Sequence, residues 1–158
     1  MKKFIIFILI GFLFSNCSNV DDEVDCERYD PAFPSLYLKL VDSSGNNLIE
    51  NGTLDPNNIT LVRGESIRFN PASQFAVPDA DIRIYDNTLL LSIPDEPNFE
   101  YVIQANETEI ISLKYTAKKK TILCGLSYYI PTGVRRDNQL LELIQPFDDF
   151  PFLTEIVL

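Results

Sequence analysis

Apolar and polar residues alternate along much of this chain. In residues 36–41, Leu36, Leu38 and Leu40 fall on one side while Tyr37 and Lys39 fall on the other. Successive side chains of a strand point to opposite faces, so this pattern predicts a half-buried β-strand. The same reading predicts strands over residues 59–63, 66–70, 81–85, 89–93, 99–103, 109–115, 121–124, 126–130 and 153–158. Residues 48–50 read as a short extended run, and residues 138–145 fit a strand as well as a short helix. The turn-forming cluster Asp42-Ser43-Ser44-Gly45-Asn46-Asn47 separates the first two runs, and Asn51-Gly52 and Asp55-Pro56-Asn57-Asn58 follow it. Gly64-Glu65 predicts a two-residue hairpin between its flanking strands. A turn near Asn106 should join residues 99–103 to 109–115. Lys118-Lys119-Lys120, between two apolar runs, reads as a hairpin turn or a sheet edge. Many short strands at regular spacing predict an all-β protein, a single antiparallel β-sandwich. Its inner faces should hold Leu36, Leu38, Leu40, Ile59, Leu61, Ile67 and Phe69. Ile82, Ile84, Phe99, Tyr101, Ile103, Ile111 and Leu113 should join them.

The N-terminus breaks this pattern. Lys2 and Lys3 precede an uninterrupted apolar run, residues 4–14, and Ser15-Asn16 leads to Cys17. That is the layout of a secretory signal peptide. As a helix the run would span about 16 Å, half of a hydrocarbon core of about 30 Å, so it is too short for a membrane anchor. A cysteine at the break resembles the lipobox of bacterial lipoproteins, although Phe14 stands where leucine is usual and Asn16 where a smaller residue is usual. The resemblance implies that Cys17 becomes the first mature residue and carries the acyl chains, palmitate among them. Residues 18–25 are polar and acidic, and they resemble the surface-export signal of Bacteroidota lipoproteins. This implies a lipid-anchored protein of the outer membrane, surface-exposed, with the periplasm-facing leaflet as the alternative. The β-domain is similar to the small immunoglobulin-like domains common in such proteins. The chain then divides into a leader (1–16), an acidic tether (17–33) and the sandwich (34–158).

Composition narrows the chemistry. Loss of Lys2 and Lys3 takes the basic residues from 13 to 11 against 23 acids, moving the net charge from −10 to −12. Such a surface repels nucleic acid, which is excluded as a partner. The chain contains no histidine, which removes the usual general base and the commonest metal ligand and excludes Ser-His-Asp and Cys-His arrangements. Two cysteines remain, Cys26 and Cys124. Envelope compartments permit a bridge between them, and free thiols are the other state open to them. Asp42-x-Ser44-x-Asn46 resembles the start of a calcium loop, but Asn47 and Thr53 stand where glycine and glutamate are needed, so a turn is expected. Asp79, Asp81 and Asp86, or Asp148 with Asp149, lack any fixed spacing and read as a solvated face. Tyr128, Tyr129, Phe147, Phe150 and Phe152 read first as packing residues.

The sequence thus predicts no catalytic residue, no metal site and no cofactor. It points to a non-enzymatic binding or accessory module of the cell envelope. The module would reach the membrane through its lipid anchor and meet envelope proteins or glycans. The alternative is a small carbohydrate- or calcium-binding module of a glycan-uptake system. Cys17 is the one cysteine placed directly after an apolar leader. Cys17→Ala should therefore abolish incorporation of radiolabelled fatty acid and release the protein from the membrane; undiminished labelling would refute the lipoprotein reading.

Overall fold

The computed structural model describes residues 25–146 and 150–158. The leader, Cys17 and the first part of the tether lie outside the described residues. Residues 32–158 form one compact unit, and the described residues 25–31 belong to a separate one. In the latter, Asp25 accepts from the backbone N–H of Glu27 at 3.1 Å and pairs with Arg28 at 3.4 Å.

The compact unit is all-β. Its strands are β1 (Leu36–Val41), β2 (Thr60–Arg63), β3 (Ile67–Asn70), β4 (Thr88–Leu91), β5 (Asn98–Gln104), β6 (Ile110–Thr121), β7 (Ser127–Arg136), β8 (Gln139–Leu141) and β9 (Phe152–Val157). A four-stranded sheet has the order β3-β4-β1-β9, and a five-stranded sheet has the order β2-β5-β6-β7-β8. An immunoglobulin sandwich places its strands A, B, E and D in one sheet and C, F and G in the other. Here β1 to β6 take the places of B to G in sequence order. The place of strand A, beside β1, is filled by the C-terminal strand β9. That one ladder is parallel, whereas all the other named ladders are antiparallel.

Alternation builds the core. Leu36, Leu38 and Leu40 of β1 are fully buried, facing Tyr101, Ile103, Ile111 and Leu113 of β5 and β6 in one apolar cluster. Phe99, Tyr101 and Tyr115 supply its largest rings; Phe99 stacks on Tyr115 at 5.1 Å and meets Tyr101 edge-on at 6.1 Å. Each buried phenol finds an acceptor: Tyr101 donates to the Ser92 carbonyl at 2.6 Å, and Tyr115 approaches Thr154 Oγ1 of β9 at 3.5 Å.

Several expectations change. Gly64-Glu65 does not close a hairpin: β2 pairs with β5 and β3 with β4, so the short link carries the chain from one sheet to the other. Gly64 has φ +128° and sits directly on the Tyr101 ring, where a Cβ would collide with it. Residues 81–85 form a 3₁₀ helix (Asp81–Tyr85) instead of a strand. Its three-residue turn buries Tyr85 and leaves Ile82 exposed. Phe69 is exposed too, because β3 is a short edge strand. Residues 48–50 form a turn in which Leu48 and Ile49 are buried. Asn47 holds that turn: its Oδ1 accepts from the N–H groups of Ile49 and Glu50 at 3.0 and 3.2 Å, and its Nδ2 donates to the Asn87 carbonyl at 3.1 Å. Of the two readings of Lys118, Lys119 and Lys120, the sheet edge and not the turn is adopted: they lie within β6, past the end of its ladder with β5. Residues 139–141 of the ambiguous segment form β8.

Cys26 and Cys124 are disulfide-bonded, so the bridge, not the free thiols, is the state adopted. Cys124 sits in the β6–β7 turn at φ 62°.

The tyrosines set an alkaline limit on stability. Burial pushes Tyr85 and Tyr101 from 10.0 up to about 12, and drives Tyr115 up as well. Between those values the unfolded chain has lost phenolic protons that the folded chain keeps, so stability falls as pH rises. The urea midpoint should hold steady up to about pH 10 and drop between pH 10 and 12. A flat midpoint across that window would contradict the burial of these rings.

Candidate functional site

The outer face of the four-stranded sheet carries a recess. Tyr37 projects there because its neighbours Leu36 and Leu38 point inward. The long β3–β4 connection folds over this face and brings Tyr85 onto Tyr37, ring centroids 4.7 Å apart. Between them and Asn70, Ser73, Ile82 and Phe150 lies a cleft of about 350 Å³.

Polar contacts hold the covering loop in place. Asn70 Nδ2 donates to the Tyr85 carbonyl at 2.6 Å, and the Ser73 N–H donates to Asp86 Oδ1 at 3.1 Å. Arg83 does most of the ordering. Its Nε donates to the Val77 carbonyl at 3.1 Å, its Nη2 to the Ala76 carbonyl at 2.5 Å and its Nη1 to Asp86 Oδ2 at 2.7 Å. One guanidinium therefore ties the loop crest to the base of the following helix, using the planar fork that lysine lacks. The segment it fixes carries apolar side chains in solvent: Phe75 is 97% exposed, and Val77 and Ile82 are exposed as well.

The residues singled out by sequence are distributed differently. Asp42 spends its carboxylate on its own turn, accepting from the N–H groups of Ser44 and Asn46 at 2.8 and 2.9 Å and from Asn46 Nδ2 at 2.9 Å. The Asn46 side chain, followed by its backbone N–H, holds that carboxyl below its usual range. Asp86 is engaged by Arg83 and Ser73, while Asp79 and Asp81 are exposed. Among the described residues no three acidic or thiol side chains converge, and Asp148 and Asp149 lie outside them. Tyr128, Phe150 and Phe152 form a chain of edge-on contacts at 5.8 and 6.3 Å, and Phe33 extends it at 5.5 Å from Tyr128. Tyr129 lies under Lys119 Nζ at 5.8 Å, and Phe147 is outside the described residues.

Sequence reasoning passed over Phe75 and Arg83. Their only local signal is a pair of large apolar residues, Phe75 and Val77, inside a proline-bounded loop that otherwise reads as solvent-facing. The chain matches no family model, no curated protein and no solved structure.

Proposed function

We propose that this chain is a lipid-anchored, non-enzymatic binding module of the cell envelope, carried on the outer membrane with its domain surface-exposed. The observation that carries the binding role is the tied crest: Arg83 bonds the carbonyls of Ala76 and Val77, next in the chain to Phe75, which stands almost wholly in solvent two residues from Ser73 of the cleft wall. An aromatic ring exposed on a loop that is already ordered loses little further entropy on binding, and large buried anchors dominate interface energetics. The cleft is the right size for one or two apolar side chains, which favours an extended segment of an envelope protein as the partner. The chemistry of the chain supports a non-catalytic role. No histidine is present to serve as general base or proton shuttle. The leader, Cys17 and the acidic residues after it support the address.

A photoreactive side chain at position 75, compared with one at exposed Thr60, tests the reading in cells. A discrete protein adduct should form at position 75 only, and Phe75→Ser should weaken binding of that partner about tenfold or more. Arg83→Ala, which frees the crest, should weaken it in the same direction. Equal, diffuse labelling at both positions would refute the protein-binding role. Saturable glycan binding in place of an adduct would move the assignment to the carbohydrate-binding alternative.

A further inference from the structure

The β6–β7 hairpin differs in charge from the rest of the molecule. Residues 110–136 contain six lysines and arginines and no acid, in a chain whose net charge is −10. Toward the base of the hairpin these charges are offset: Lys114 lies opposite Glu100 across the sheet, and Arg136 pairs with Glu109 at 3.1 Å. Toward the tip they are not. Among the described residues Lys118 and Lys120 have no acidic partner, and Lys119 rests on the Tyr129 ring. Lys118, Lys119 and Lys120 line a shallow recess of about 390 Å³ together with Ile130 and Thr132. The turn just beyond them exposes two leucines, Leu123 and Leu126, on either side of Cys124. Exposed apolar side chains with a collar of unpaired lysines match the charge and polarity of an anionic lipid surface, where basic groups meet headgroups and apolar groups enter the boundary.

The position of the hairpin fits that occupant. Phe33, where the chain enters the sandwich, packs edge-on against Tyr128 of β7, so the hairpin tip and the chain entry share one end of the domain. The disulfide at Cys26 and Cys124 shortens the leash further. Cys26 lies nine positions after Cys17, about 30 Å at full extension. We infer that the Lys118–Lys120 and Leu123–Leu126 tip of this hairpin docks on the anionic membrane to which the chain is anchored, an inference that rests on the lipid-anchor reading. Docking would hold the domain against the bilayer in one orientation.

Partitioning of the full chain onto two kinds of vesicle tests this: pure phosphatidylcholine, and phosphatidylcholine with about a third phosphatidylglycerol, a composition that presents the anionic surface in question. An acyl anchor contributes equally to both. The wild-type chain should prefer the anionic vesicles by about tenfold or more, a preference that high salt weakens. K118Q/K119Q/K120Q should abolish the preference, and L123S/L126S should reduce binding to both vesicles; both variants should melt like the wild type. Equal wild-type partitioning onto the two vesicles would overturn the inference. So would binding of soluble heparin as tight as vesicle binding and unchanged by L123S/L126S, which would make the tip a site for a soluble polyanion. If fatty-acid labelling of Cys17 fails while the lysine-dependent preference persists, the anchor reading falls and tip docking stands.

Discussion

The domain depends on β1 having a hydrogen-bonded neighbour on both edges. β4 runs antiparallel to it on one side, and β9 runs parallel to it along its whole length, from Leu36 opposite Phe152 to Val41 opposite Val157. Only a central strand can bury Leu36, Leu38 and Leu40 completely without exposing its backbone groups. Fully burying one leucine contributes about 1.5–3 kcal/mol, so this face is a large part of a typical domain's net stability. Parallel pairing cannot be made by a tight turn, and here the connection from β1 to β9 is nearly the whole domain. The four-stranded sheet is therefore completed only by the last residues of the chain. That makes its closure a long-range event, of the kind that folds slowly.

That closure positions both candidate surfaces. Because β9 starts beside Leu36, it sets Pro151 and Phe150 against the outer face of the sheet. There the Pro151 carbonyl meets the Tyr85 hydroxyl at 3.5 Å and Phe150 helps wall the cleft. Phe150 also contacts Tyr128, linking the cleft wall to the aromatic chain that runs to the chain entry. The Arg83-held crest and the lysine-bearing hairpin thus draw on the same C-terminal segment for support, although they present opposite chemistries. The crest offers an aromatic ring beside a cleft, and the hairpin offers positive charge on an otherwise acidic protein.

The fold was legible wherever burial imposed strict alternation. β1, β5 and the first half of β6 can be read directly, because one face of each is core and the other is not. Elsewhere the same signal misled. Ile82 and Ile84 alternate with polar residues as in a strand, yet the segment winds into a 3₁₀ helix that places Tyr85 on Tyr37, a contact no local pattern encodes. Gly64-Glu65 has hairpin chemistry, but the partner of each flanking strand is chosen by long-range pairing. The glycine is needed instead because the Tyr101 ring occupies the place of a Cβ. The candidate site was less legible than the fold. Arg83 is one arginine among several, and its role arises only once Ala76, Val77 and Asp86 are brought around it. The lysine run was visible, but not that it would remain on a strand, without acidic partners among the described residues, beside two exposed leucines.

Native-state hydrogen exchange of the backbone amides tests the closure by β9 most directly. If the C-terminal strand completes the sheet, the inward-bonded amides of residues 36–41 and 152–157 should exchange only through global unfolding, as slowly as the centre of the β5–β6 ladder. Exchange of the β9 amides orders of magnitude faster, with β1 and β5 still protected, would show a strand that opens on its own and would contradict the account.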